Sequence, residues 1–260
     1  METLFFVYSF IFGALVGSFL NVVILRLPDE NQSVVFPASH CPKCGTALRW
    51  YENIPIFSYL ALRGKCRTCK TGISLQYPVV EFCMAVLSLA LYRQFAFSFP
   101  LFFYFLFLAA LLVIIFIDIH LQIIPDRISL PGIVIGFLGS FFNPWVTWQE
   151  AGLGILLGGG ILYAVAMGYA LLTGQEGMGG GDIKLLAMIG AFLGWQSLLY
   201  VVFFSSLTGS IIGGGMLLLQ RKGRQTRIPF GPFLSLGAMS WLFFQSHILS
   251  AWSWYLSILG

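Results

Sequence analysis

Residues 99–117 read FPLFFYFLFLAALLVIIFI, a run without a single charge, and the next residue is Asp118. A helix crossing a bilayer needs about 20 mostly apolar residues, and this run supplies them. Similar windows recur along the 260-residue chain, which is 58% hydrophobic and only 9% charged, with a mean hydropathy of +0.88. An average soluble domain is about 25% charged. A soluble fold could not hide this much apolar surface, so lipid must cover much of it. The reading is an all-α polytopic membrane protein with about eight transmembrane helices. They fall at roughly 4–25, 78–98, 100–120, 129–143, 151–173, 183–195, 197–219 and 231–255.

The basic residues sort the connections. Arg26, Lys43, Arg49, Arg63, Lys65, Arg67 and Lys70 lie in 26–77, Arg127 between the third and fourth segments, and Lys184 between the fifth and sixth. Arg221, Lys222, Arg224 and Arg227 lie between the seventh and eighth. These connections alternate strictly, and the opposite side holds Arg93 alone. Both termini are therefore expected outside, with residues 26–77 in the cytosol. Met1–Leu25 lacks a basic start and a small-residue cleavage site, so it is expected to stay as the first span rather than act as a cleaved signal.

The cytosolic loop carries Cys41-Pro-Lys-Cys44 and Cys66-Arg-Thr-Cys69. Thiols stay reduced in that compartment, and two matched Cys-x-x-Cys pairs have the spacing of a four-thiolate zinc knuckle. Each pair can place two sulfurs on one side of a tetrahedral ion. Gly45 and Gly64 would allow the tight turns such a knuckle needs. A redox pair or two disulfides is the alternative. Zinc held by Cys41, Cys44, Cys66 and Cys69 would be structural, because four protein ligands leave no open position. His40 is a surplus candidate ligand, and Cys83, inside the second segment, reads as a small buried apolar residue. The aromatic stretch Trp50–Pro55 reads as an interface anchor. Glu81, at the start of the second segment, is either a binding group or a helix N-terminal charge.

Asp118 follows its apolar run by one residue, and Pro125 should end that helix, leaving the carboxylate near the cytosolic end. An acidic residue inside a span is a candidate functional group, with a polar contact between helices as the plainer role. Asp182 follows Gly177, Gly179, Gly180 and Gly181, where another chain could approach closely, although an N-cap is all it needs to be. Both aspartates fall at cytosolic ends, so they could share one water-reachable cavity. Two close carboxylates can divide the work of activating water and protonating a peptide carbonyl. Asp126 is expected in a turn or cap. Glycines 158–160 and 213–215 are expected to allow close helix packing. No Gly-x-Gly-x-x-Gly after a strand signals a Rossmann-type cofactor fold.

With Gly17-Ser18-Phe19-Leu20-Asn21, Arg26-Leu27-Pro28, the Cys41–Cys69 loop, Tyr77-Pro78 and Glu81, Ile124-Pro125-Asp126 and Gly179-Gly180-Gly181-Asp182-Ile183-Lys184, the chain resembles the bacterial prepilin peptidases, or type IV leader peptidases. The resemblance implies an inner-membrane aspartyl endopeptidase, facing the cytosol, with Asp118 and Asp182 as catalytic residues. Its partners would be prepilins or type II secretion pseudopilins and membrane lipid, with no nucleic acid. Cleavage would follow a glycine, and bifunctional members then methylate the new N-terminal residue with S-adenosylmethionine, whose binding residues the sequence does not identify. The implied organisation is a first transmembrane helix (1–25), a cytosolic zinc-knuckle loop (26–77) and a transmembrane aspartyl protease domain (78–260). The rivals are a peptidase without methyltransferase activity and an ion-coupled transporter, since broken helices and buried carboxylates also serve transport.

Overall fold

In lipid no water satisfies backbone amides, so segments this apolar close their hydrogen bonds internally as helices. The structure, a computed structural model, describes residues 2–174, 179–220 and 229–259. Gly177 and the basic cluster Arg221, Lys222, Arg224 and Arg227 lie outside the described residues. In order, the helices are α1 (Glu2–Arg26), a 3-10 turn (Trp50–Asn53), α2 (Phe57–Ala61), α3 (Gln76–Phe95) and α4 (Phe99–Leu121). There follow α5 (Asp126–Ser140), α6 (Trp148–Thr173), α7 (Gly180–Leu193), α8 (Gln196–Gln220) and α9 (Gly231–Leu259). Each of the eight predicted segments is thus a helix, but the count of eight spans is not carried over. Among the described residues five helices, α1, α3, α4, α6 and α8, are long and apolar enough to cross a membrane. At 1.5 Å per residue, α5 and α7 reach only about 21–23 Å, short of the ~30 Å hydrocarbon core.

The chain divides into two compact units, residues 1–113 and 114–260. In the first, α1 and α3 pack antiparallel, with contacts from Ser9–Ser88 down to Asn21–Tyr77. Small residues make the seam. A Cβ on Gly13 would sit 2.7 Å from the Ala85 Cα, and one on Gly17 would sit 2.7 Å from the Glu81 Cα. Lipid offers little hydrophobic drive between helices, so backbones must approach this closely to gain dispersion and polar contacts. Ser9 and Ser88 exchange hydroxyl-to-carbonyl hydrogen bonds of 3.0 and 2.9 Å, and the Asn21 amide donates to the Tyr77 carbonyl at 3.1 Å.

In the second unit α7 is the core. Every residue from Leu185 to Leu193 is buried, as expected of a helix apolar on all faces. Two glycine seams hold it. Gly154 of α6 lies directly on Gly190 of α7, backbone to backbone, while Gly132 and Gly136 of α5 face Met188, Ala191 and Phe192. Gly158 adds a second backbone contact, its Cβ position 2.6 Å from the Leu186 carbonyl. Of the other glycines singled out, Gly159 makes only ordinary contact, Gly160, Gly214 and Gly215 have open space among the described residues, and Gly213 is buried. They face away from the α6–α7 seam or lie beyond it.

Candidate active site and metal centre

Asp118 sits near the end of α4 and is 4% exposed. The helix ends within a turn of it. The Gln122 amide donates to the Asp118 carbonyl at 2.9 Å, Gln122 takes φ 56°, and Pro125 starts the next helix. One side-chain oxygen, Oδ2, accepts a hydrogen bond from the Gly231 N–H at 2.9 Å. Gly231 is the first residue of α9, where a helix has backbone donors without intrahelical partners and a favourable dipole for an anion. A Cβ at Gly231 would fall 2.7 Å from that oxygen and 3.2 Å from the Ile124 Cδ1.

Asp182 enters from the other side of Ile124. Gly179 caps α7, and the Asp182 amide donates to its carbonyl at 3.2 Å. A Cβ on Gly181 would lie 2.9 Å from the Ile124 Cβ, so only glycine lets α7 begin against this segment. The half-buried Asp182 is near enough for the Asp118 charge to act on it. The structure therefore brings together the two aspartates that the sequence singled out, with the Gly231 N–H on one and the glycine turn under the other.

Asp126, expected in a turn or cap, stands at the start of a helix and also makes an ion pair. It lies in the first turn of α5, and Lys184 of α7 donates to both its carboxylate oxygens at 2.7 Å. Being largely exposed, the pair contributes at most about 1 kcal/mol, but it ties the Ile123–Pro125 segment to the helix that carries Asp182. Gly231 was not anticipated. Its partner lies 113 residues away, and the sequence signal, Pro-Phe-Gly-Pro at 229–232 opening a helix, says nothing about what the helix start faces.

In the first unit the four cysteine sulfurs lie within 4.8 Å of one another, with Cys41 and Cys69 3.7 Å apart. Zinc–sulfur bonds of about 2.3 Å in a tetrahedron place sulfurs about 3.8 Å apart, so the donor set fits a zinc ion. The two knuckles repeat one hairpin. The Cys41 amide donates to Thr46 O and the Gly45 amide to Cys41 O, and Cys66 with Thr71 and Lys70 with Cys66 do the same. The left-handed position is Gly45 (φ 70°) in one and Lys70 (φ 59°) in the other. Gly64 also has positive φ, but its place is before the second pair, under the Tyr59 ring. The Thr71 hydroxyl and backbone hold the Cys69 thiol down to about 6, favouring the thiolate that a metal binds. His40 is not among the clustered ligands; its Nδ1 lies 3.0 Å from the Ala38 carbonyl. Cys83 is half-buried rather than buried.

Glu81 is buried at 6% exposure and serves this loop. It accepts the Ile56 N–H at 2.7 Å. Ile56 has φ 64°, a conformation that costs a β-branched residue about 1–3 kcal/mol. The carboxylate thus holds a strained turn between the 3-10 turn and α2.

The Bacterial Peptidase A24 N-terminal domain profile matches residues 11–95, and the Type IV leader peptidase family profile matches residues 105–214. Among curated relatives, a "Prepilin leader peptidase/N-methyltransferase" of Pseudomonas putida is 38% identical over 258 residues, 91% of this chain and 90% of the relative. Proteins of the same name from Aeromonas salmonicida (strain A449) and Pseudomonas aeruginosa are 36% and 39% identical. They cover 98% and 88% of this chain, and 94% and 86% of their own lengths. No solved structure matches. With relatives this similar along nearly its whole length, and with several helices apolar enough to cross a membrane, the chain belongs to the type IV leader peptidase family as a multi-pass membrane protein.

Proposed function

We propose that the protein is an aspartyl endopeptidase that removes the leader of prepilins or type II secretion pseudopilins and then methylates the exposed amine. One observation carries the reading: Asp118 and Asp182, from distant parts of the chain, converge at two helix ends, with a backbone N–H fixed on one of them. Two carboxylates near enough to feel each other's charge do not both ionise cheaply, so one holds a proton while the other is basic. The ionised one takes a proton from water as it attacks the scissile carbonyl, and the protonated one donates to the carbonyl oxygen. The Gly231 N–H holds one oxygen of Asp118, and the other is the one that would exchange a proton with water or peptide.

The basic connections support a cytosol-facing site in the inner membrane. A positively charged leader stays on that side, its scissile bond just after a glycine and ahead of the apolar helix. Family membership favours an enzyme over an ion-coupled transporter. The names of the relatives support the second activity, with S-adenosylmethionine as donor. The donor would supply an electrophilic methyl group, whose carbon–sulfur bond breaks with its electrons kept by sulfur as the amine lone pair forms the new bond. The amine must first lose a proton.

The test mixes purified protein with a prepilin, with and without S-adenosylmethionine, and reads intact mass. The expected result is leader loss in both samples and a further gain of about 14 daltons, one methyl, only with the donor. Uncut substrate overturns the peptidase, and cut but never methylated product overturns the bifunctional reading in favour of a peptidase alone.

We also read Cys41, Cys44, Cys66 and Cys69 as a structural zinc site. Thr71→Val removes the hydroxyl beside Cys69 and is expected to weaken zinc about 10-fold, the lower end for loss of an outer-shell partner. Chelator competition measures it, and unchanged affinity would refute the role given to Thr71.

A further inference from the structure

Beside the knuckles, the 3-10 turn and α2 border an open cavity of about 330 Å³ lined by Tyr51, Glu52, Ser58, Ala61, Leu62 and Arg67. That volume is at the lower end of small-molecule sites, which combine apolar walls with a few convergent polar groups. Ala61 and Leu62 are the apolar wall. The polar groups are held in place by each other. The Glu52 carboxylate accepts the Arg49 N–H at 2.9 Å and faces Arg67 at 3.3 Å, while Arg49 and Arg67 donate to the Tyr51 hydroxyl at 2.6 and 2.5 Å. Both guanidiniums also lie over the Tyr51 ring, 5.9 and 5.8 Å from its centre.

We propose that this cavity binds the methyl donor, through Glu52 and Arg67. The assignment rests on the methyltransferase reading above and adds the residues that the sequence could not supply. A sulfonium donor built on an amino acid carries two cationic centres and one carboxylate. Without ligand, Glu52 and Arg67 satisfy each other; a zwitterion can take both, its cationic part against Glu52 and its carboxylate against Arg67 in the paired geometry guanidinium favours. The Glu52 side chain is 9% exposed against 51% for Arg67, so the negative group is the deeper one. The Arg49 backbone hydrogen bond keeps the Glu52 carboxyl below its usual range, as a cation site requires. Tyr51, which accepts from both Arg49 and Arg67, holds the Arg67 guanidinium at the pocket wall.

The arrangement also gives the knuckles a purpose. Arg67 lies between Cys66 and Cys69, whereas Tyr51 and Glu52 follow the first pair, so the cavity closes only when the two knuckles are brought together.

Calorimetric titration of the full-length protein with S-adenosylhomocysteine, the demethylated product, tests this by binding alone. Glu52→Gln, nearly isosteric, and Arg67→Ala are expected to weaken binding at least tenfold, with leader cleavage within twofold of the parent and zinc content unchanged. Mature pilin from both variants should lack the methyl group. Parent-like binding by Glu52→Gln overturns the site even if Arg67→Ala has lost its zinc and its affinity. Parent protein that binds the product while both variants bind within threefold of it overturns the pocket alone. Parent protein that cleaves prepilin but neither binds nor methylates overturns the methyltransferase reading and the pocket with it.

Discussion

Asp118→Ala and Asp182→Ala are each expected to leave prepilin uncut, with a rate lower by about 10²–10⁴, the contribution of a positioned acid or base. Protein abundance should be unchanged, because the scaffold around the pair rests on glycine seams and the α7 core. Alanine at 118 does leave the Gly231 N–H without its partner, which can cost about 1–3 kcal/mol if water does not replace it. Asp118→Asn separates the effects: its amide oxygen can still accept that hydrogen bond, yet it cannot exchange a proton. Equal loss of cleavage in the alanine and asparagine variants, at equal abundance on an immunoblot, is the expected pattern. Processing at the parent rate by any of these variants would remove the aspartates from the mechanism.

Gly231→Ala is the second large effect. Its added methyl would sit 2.7 Å from the Asp118 Oδ2 and 3.2 Å from the Ile124 Cδ1, closer than atoms pack. Asp118 is buried, and Ile124 is backed by Gly181, whose own Cβ position lies 2.9 Å from the Ile124 Cβ. The carboxylate must turn away or α9 must shift, and a displacement near 1 Å at a reacting group can cost about 100-fold. Cleavage is therefore expected to fall about 10–100-fold, with binding of an uncleavable prepilin retained. Gly214→Ala, where a methyl meets nothing within 4 Å, is the control. If the two alanine variants process prepilin equally fast, the backbone contact at Gly231 does not position Asp118.

The elements that could be read from sequence are those whose cause is local. An uncharged run must be a helix in lipid, and all eight predicted runs are helices. The knuckle was legible because four thiols at that spacing serve one geometry. Asp118 stood out because a carboxylate is costly in an apolar run, and Asp182 because it follows a glycine-rich stretch at the same expected side. Contacts between distant segments were not legible. Nothing near Gly231 names Asp118, nothing near Asp126 names Lys184, and Glu81 gives no sign that it supports Ile56. The span count went beyond the structure for a related reason. The apolar character that suggests lipid exposure in α7 is spent on burial among other helices.

Because α7 is too short to cross the bilayer and has no side chain between Gly190 and Gly154, its depth is borrowed from α6. That longer helix is fastened at its start by Thr147 and Glu150, whose side chains and amides bond reciprocally, next to the exposed Trp148. Membranes of different thickness should then tilt the two helices as a single bar, lowering or raising Asp182 by leverage instead of letting it slip along its neighbour.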